Sequence, residues 1–364
     1  MFRRSVAAQI LNALVSQSFQ DSCRASLSRL TPMVLLQLFP RMDGIASKGN
    51  LILDCCHHVE DPKYVSLGTC VFNSRRTGNL MFSLAALLFV SENTGRIPIL
   101  PSYMLHGWID EYFNTSSIKK IPNNFIYDAN ESIILTERYG PLAYDPIFKN
   151  PHANSSIRNI KILLICGYFQ NYYYVRNVEK SLKTLFQFHS ATKSNVSHFI
   201  NHHKSLVNKS YQNIKTVGVH VRRTDFLTID NQRQGLTVID ENYVNSTVHF
   251  FLNYLVAKGA DFIIFFVACQ DYAWVNSTIY KLNITQIFTN VRFVPSTNNN
   301  GPFDMCLISM CDGVITSTGS FSWWAGWLAN TTTTYYTGYP KNGSEIAKYF
   351  DRRTYQKPDW IGFT

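Results

Sequence analysis

The run Phe262-Ile263-Ile264-Phe265-Phe266-Val267-Ala268 leaves this chain little choice of fold. It has seven apolar residues and no polar break. A membrane-spanning helix takes about 20 such residues, so the run is too short to cross a bilayer. It fits a buried strand. Thr216-Val217-Gly218-Val219-His220-Val221 repeats the theme: it is rich in β-branched residues, too short for a helix, and runs directly into Arg222-Arg223-Thr224-Asp225.

Between such runs lie segments with helical spacing. In the first half, strands are predicted over Val65–Phe72, Ile97–Leu100 and Lys161–Cys166, and helices over Leu80–Val90, Val175–Phe188 and Asn195–Val207. In the second half, strands fall at Thr216–Val221, Phe262–Ala268, Val291–Val294 and Gly313–Thr316. Helices there cover Glu241–Ala257 (with Asp240 as N-cap), Tyr272–Lys281, Phe303–Cys311 and Phe321–Ala329. Residues 101–160 are irregular and rich in aromatics, with prolines at turns, as in a pocket wall or an insert. Strand–helix alternation in both halves predicts an α/β chain of two Rossmann-like domains facing a cleft. The expected division is a variable leader over 1–60, an N-terminal acceptor-side domain over 61–212 and a C-terminal donor-binding domain over 213–364.

With 364 residues, 46% hydrophobic and 16% charged, the chain has enough apolar content for a large core and is not a disordered sequence. The net charge of +10 is dispersed, with no Lys/Arg run longer than two residues. Nucleic acid is therefore not an expected partner. None of the eight cysteines forms a Cys-x-x-Cys pair with a matching partner pair, which argues against zinc. Cys166 and Cys269 sit inside apolar runs and are expected to be simply buried; Cys23, Cys55, Cys56, Cys70, Cys306 and Cys311 can form disulfides. Asn-x-Ser/Thr sequons begin at Asn114, Asn130, Asn154, Asn195, Asn208, Asn245, Asn276, Asn283, Asn330 and Asn342. Each accepts a glycan only if the chain enters the secretory pathway. Residues 1–45 hold no apolar stretch of spanning length. Met1–Leu30, with several arginines and one acid, Asp21, has some features of a transit peptide; an incomplete start and a soluble tail are the alternatives.

Three regions carry candidate chemistry. In the first, His220, Arg222, Arg223 and Asp225 stand at the carboxyl end of a predicted central strand, where ligands bind in open α/β sheets. A guanidinium there can grip a diphosphate through two fixed hydrogen bonds; a surface Arg–Asp pair is the plainer alternative. The second is the loop Arg76-Thr77-Gly78-Asn79, in which Gly78 lets the backbone approach a ligand and Asn79 offers an amide; a simple capped turn is its alternative. The third is Thr316-Ser317-Thr318-Gly319-Ser320-Phe321, where a strand ends in small hydroxyl residues and a helix begins, a place suited to an anion. The tryptophans that follow, Trp323, Trp324 and Trp327, are read as core in preference to a sugar platform.

The pattern His220-x-Arg222-Arg223-x-Asp225 resembles that of the α-1,2-fucosyltransferases, glycosyltransferase family 11, and more loosely the α-1,6- and protein O-fucosyltransferases. Ser320-Phe321-Ser322-Trp323-Trp324-Ala325-Gly326-Trp327-Leu328, preceded by Phe303 to Ser309, looks like the family's C-terminal signature. Gly167-Tyr168-Phe169-Gln170 and Gly78-Asn79 are also similar to it. The resemblance covers roughly Gly68 to Phe363. It implies a GT-B fold, GDP-fucose as donor, a galactose-containing glycan as acceptor, inverting transfer, and a Golgi membrane enzyme with a lumenal catalytic domain. The anchor that would tie it to the membrane is not evident in the sequence. By the same resemblance Arg222, Asp225 and His220 would be catalytic, and Arg223, Gly78, Asn79, Ser317, Thr318, Ser320 and Phe321 would contact the donor. No cofactor is expected: the chain has no Asp-x-Asp pair, so no metal is called for and arginine must offset the charge on departing GDP. Candidates for the general base are His220, Asp225 and Asp271.

The family's Gly-Asn-Gln reads Gly78-Asn79-Leu80 here, one polar group fewer near the donor. Its Ser-Asp-Asp reads Cys269-Gln270-Asp271. These departures motivate the alternative of a catalytically inactive homologue that binds a GDP-sugar or a glycan.

Overall fold

The computed structural model describes residues 62–74, 76–122, 128–282, 288–296 and 300–364. In the first half, β1 (Tyr64–Leu67), β2 (Ile97–Pro98), β5 (Ser132–Thr136) and β6 (Ile162–Cys166) form a parallel sheet of order β2-β1-β6-β5. Beside it, β3 (Leu100–Pro101) and β4 (Lys120–Ile121) make a two-stranded ladder. In the second half, β7 (Ile214–Val221), β8 (Phe262–Cys269), β9 (Val291–Pro295), β10 (Gly313–Ile315), β11 (Thr332–Tyr336) and β12 (Ile361–Phe363) form a second sheet. It is parallel throughout, with the order β12-β11-β10-β7-β8-β9. The apolar runs are central strands because only a strand flanked on both edges and both faces can bury every side chain. In β8 the residues from Ile263 to Ala268 are at most 1% exposed.

The architecture is α/β with two parallel sheets, as the alternation predicts. The helix Glu241–Ala257 begins and ends where its pattern places it, and Asp240 accepts a 2.8 Å hydrogen bond from the Tyr243 N–H as its N-cap. Other boundaries differ. The first strand stops at Leu67, and Thr69–Ser74 is a 3-10 helix instead of more strand. The next helix begins at Thr77, so Gly78 and Asn79 belong to its first turn and not to a loop. The segment 175–188 is two short helices, Tyr172–Arg176 and Glu179–Leu185, separated by a turn in which the Val178 N–H reaches the Val175 carbonyl and Val178 is buried. Inside the stretch read as irregular lies β5, an edge strand of mixed exposure whose weak pattern hides it. Tyr272–Ser277 is helical, and Ile279–Lys281 continues as a 3-10 turn.

Residues Pro62–Thr364 form one compact unit. The helices Thr77–Thr94 and Ser320–Ala329 pack together, joining the layers of the two sheets. Phe82 lies 4.7 Å from Trp323 and 4.9 Å from Trp324, and Phe186 lies 5.2 Å from Trp324, measured between ring centroids. Trp323, Trp324 and Trp327 are 3%, 0% and 3% exposed. They are core, as expected, but the core they fill lies between the two layers.

One cysteine expectation is corrected. Cys166 is not a simple buried thiol; it is disulfide-bonded to Cys70, with a Cα–Cα distance of 5.8 Å. The cause is register: β1 and β6 are adjacent parallel strands with Leu67 opposite Ile165, so the 3-10 segment that follows β1 carries Cys70 past Cys166, the last residue of β6. Cys269, Cys306 and Cys311 are free and buried. Cys23, Cys55, Cys56, the leader and the sequon at Asn283 lie outside the described residues. Among the described residues, no helix is long and apolar enough to cross a membrane.

Candidate active site

Strand β7 lies between β10 and β8, with Val219 opposite Ile315 and Val221 opposite Cys269. The segments after these three strands therefore emerge together at one end of the sheet. Successive residues of an extended chain point to opposite sides, so Arg222 and Arg223 part company. Arg222 turns toward the hydroxyl-rich turn after β10. Its Nε and Nη2 donate to Asp225 Oδ1 and Oδ2 at 3.1 and 2.7 Å, and its guanidinium lies over the Phe226 ring at 4.3 Å. A Cβ built on Gly319 would stand 3.1 Å from Arg222 Nη1, which places the guanidinium against the turn that opens the Ser320–Ala329 helix. Gly319 has φ +94°, a conformation that suits glycine there.

Arg223 goes the other way. Its Nη1 donates to the Ile239 carbonyl at 2.7 Å, its Nε lies 3.4 Å from Asp271 Oδ2, and its guanidinium covers Trp274 at 4.3 Å. The donor contact expected of Arg223 thus falls on a side chain already tied down on the far side of the strand.

Arg76 joins the Arg222 side from the first half of the chain. Its Nη1 donates to Asp225 Oδ2 at 2.5 Å, and its side chain is 58% exposed. Burial alone would raise the Asp225 pKa, but the hydrogen bonds and charges of Arg222 and Arg76 outweigh it and hold the carboxyl down at about 2. At neutral pH this is a carboxylate between two guanidiniums, with one positive charge to spare. The sequence assigns Arg76 no role of its own, because nothing local tells it apart from any other arginine before a helix.

The other expected residues gather here, but mostly by binding one another. Ser317 Oγ and His220 Nδ1 are 2.9 Å apart, and the Ser317 N–H donates to Ser322 Oγ at 2.8 Å. Thr318 Oγ1 donates to the Thr237 carbonyl at 2.8 Å. Asn79 Oδ1 accepts from Ser320 Oγ at 2.6 Å and from Gln170 Nε2 at 3.0 Å. Phe321 packs its ring 4.9 Å from His220. Burial, helped by the Arg222 charge, lowers the His220 pKa to about 3, so its imidazole is neutral at physiological pH. A group so weakly basic, with Nδ1 engaged by Ser317, is poorly suited to take a proton. At the departures from the family pattern, Leu80 is 7% exposed in the core with its N–H on the Arg76 carbonyl at 3.0 Å, and Gln270 Oε1 accepts from Thr224 Oγ1 at 3.2 Å.

Gly78 has a different purpose from the one its sequence context suggests. A Cβ there would lie 2.6 Å from both Phe321 N and Ser320 C. The glycine lets the first turn of one helix touch the first turn of the other, and it brings Asn79 to Ser320. Gly78→Ala is therefore expected to destabilise the protein by about 1–3 kcal/mol through overpacking against backbone. The check is a urea melt of the variant beside the native chain; an unchanged midpoint would contradict the packing argument.

This chain is similar over most of its length to known fucosyltransferases. It is 22% identical over 311 residues to galactoside 2-alpha-L-fucosyltransferase SEC1 of Bos taurus, covering 84% of this chain and 77% of that one. It is 25% identical over 291 residues to galactoside alpha-(1,2)-fucosyltransferase 2 of Bos taurus, covering 79% and 76%. Among solved structures, POFUT1 in complex with GDP aligns over 76% of this chain and 99% of its own, with 12% identity and a TM-score of 0.42. Residues 145–364 match the profile of glycosyl transferase family 11. Because that match spans more than half of the chain and takes in the whole second sheet with Arg222 and Asp225, the chain belongs to glycosyl transferase family 11.

Proposed function

We propose that this protein moves L-fucose from GDP-fucose to a galactose-containing glycan, in α-1,2 linkage and with inversion at the transferred carbon. The observation that carries the reading is the Arg76–Asp225–Arg222 cluster beside the Gly319 turn. Asp225 orients the Arg222 fork through two hydrogen bonds and draws in Arg76 through one. Two guanidiniums held in this way are preorganised to meet a diphosphate as it leaves with its bond electrons. The helix Ser320–Ala329 adds the positive end of its dipole at the same place. Guanidiniums supply the compensating charge in this reading, so no metal is invoked. A glycan hydroxyl approaching the sugar from the face opposite the diphosphate gives inversion in a single displacement, through a transition state with oxocarbenium character. The names of the relatives, galactoside 2-alpha-L-fucosyltransferase and galactoside alpha-(1,2)-fucosyltransferase, support the transferred sugar, the acceptor and the linkage.

The test is direct. Purified protein is incubated with GDP-fucose and a panel of β-galactosides, and the product linkage is read by methylation analysis. Fucose on O2 of galactose is the expected result, and its absence across the panel would overturn the reading.

A further inference from the structure

The three groups that the sequence offers as general base are poorly placed to receive the proton of an attacking hydroxyl. Both oxygens of Asp225 are held by arginines. His220 is a weak base. Asp271 caps the helix Tyr272–Ser277 by accepting from the Trp274 N–H, and its other oxygen faces Arg223. Another carboxyl, Glu137 of the first half of the chain, keeps one oxygen without a hydrogen-bond partner.

Glu137 follows directly on β5, at the carboxyl end of the first sheet, the end from which the Arg76 segment also emerges. Its Oε2 accepts from the Tyr168 N–H at 3.0 Å and the Phe169 N–H at 3.4 Å. Its Oε1 is shielded from solvent and has no hydrogen-bond partner. A shielded acceptor left unpaired costs about 1–3 kcal/mol, so it calls for a reason. The backbone is shaped around this carboxyl. A Cβ on Gly167 would stand 2.7 Å from Glu137 Oε2, and Phe169 holds a φ of +54°. A non-glycine residue in that region is strained, and strain of this kind concentrates at functional sites.

The same loop reaches the donor turn: Gln170 donates to Asn79, and Asn79 accepts from Ser320. Tyr139, two residues after Glu137, and Tyr168, whose N–H donates to Glu137, are 39% and 42% exposed, and Tyr139 packs at 5.3 Å against Tyr349, itself 50% exposed. Aromatic faces open to solvent beside a carboxyl suit the mixed C–H and O–H surface of a sugar ring.

We propose that Glu137 is the catalytic residue on the acceptor side, with Oε1 receiving the hydroxyl of the incoming galactoside. This rests on the fucosyl-transfer reading above and adds to it the group that takes the proton. The acceptor O–H bond breaks and its proton passes to Oε1. The oxygen's freed pair forms the bond to the fucose anomeric carbon, and the bond from that carbon to the β-phosphate oxygen breaks, its electrons leaving with GDP. Burial raises the Glu137 pKa to about 8; the Tyr168 and Phe169 N–H groups oppose the rise, and the Asp145 charge adds to it. Tyr174 and Asp145 are the titratable groups that face it, and Arg138 is committed to Asp145 at 2.6 Å. A base works best when its pKa lies near the working pH.

The experiment compares the native enzyme with Glu137→Gln and Glu137→Asp, measuring kcat from pH 5.5 to 9.5 and GDP affinity by calorimetry. Native kcat should rise with pH and level off above about 8, as the carboxyl ionises. Glu137→Gln should lose about 100- to 10,000-fold in kcat, keep its GDP affinity, and show no such limb; Glu137→Asp should recover part of the rate and the limb. A Glu137→Gln enzyme within about threefold of native kcat would overturn the proposal, as would a native profile flat from pH 5.5 to 9.5, which needs no variant to fold. A native protein that transfers no fucose overturns the functional reading and this proposal together. An active native enzyme with an active Glu137→Gln overturns this proposal alone.

Discussion

Arg222→Ala is expected to cut kcat by about 100- to 1,000-fold, the loss of roughly 3–4 kcal/mol that follows removal of one preorganised donor from developing negative charge. The site makes this the most sensitive position because Arg222 is held on three sides: by both oxygens of Asp225, by the Phe226 ring and by the Gly319 turn. Arg222→Lys should recover little. An ammonium cannot span both carboxylate oxygens while lying flat on an aromatic ring. Arg223→Lys is the informative contrast, since Arg223 faces Ile239, Asp271 and Trp274 on the other side of the strand; its effect should appear in the melting temperature before it appears in kcat. Steady-state kinetics with GDP-fucose and a β-galactoside decides the matter. If Arg222→Ala stayed within threefold of native, leaving-group stabilisation would have to come from elsewhere.

Cys70→Ser should lower the free energy of unfolding by about 2–5 kcal/mol. The bond spans a sequence separation of 96 residues. Closing a loop of about 100 residues restricts the unfolded chain by roughly 4.7 kcal/mol in the chain-entropy account. Urea denaturation under non-reducing conditions measures the change, and a loss under about 1 kcal/mol would show that the bond does little for the fold. The effect should extend to activity. Cys70 lies in the 3-10 segment that leads to Arg76, and Cys166 directly precedes the Gly167–Gln170 loop, so the bond ties together two segments that reach the site. Such a bond persists in an oxidising compartment. We therefore propose that this part of the chain folds in the lumen of the secretory pathway. Of the ten sequons, all but Asn283 lie within the described residues, and each of those asparagines is exposed. Protein from a secretory host should lose mass on treatment with a peptide N-glycosidase, and an unchanged mass would count against this placement.

Much of the site is legible in the amino-acid sequence, and the parts that are not share a cause. His220, Arg222 and Asp225 stand out because a strand pattern runs straight into them, and strand ends are where α/β sheets bind ligands. Ser317, Thr318 and Ser320 stand out for the same reason, one strand over. Glu137 carries no such mark. It follows β5, a five-residue edge strand whose side chains are half-buried or exposed, and such a strand lacks the unbroken apolar run that betrays its central neighbours. Asn79 is picked out by its sequence as a donor contact, yet its carbonyl oxygen serves as the meeting point of Ser320 and Gln170. Composition can nominate an amide but cannot say which groups will surround it.

The amino-acid sequence by itself determined the layers: short apolar runs had to become covered strands, the segments between them had to become helices, and the Glu241–Ala257 helix carried its own start signal. Tertiary structure alone decided which arginine meets Asp225 from 149 residues away, which cysteine closes on Cys166, and what Gly78 makes room for. The reason is physical. Periodicity and capping act over a few residues and are written locally, whereas strand order and register bring distant residues together, and no local pattern records which partners they will find.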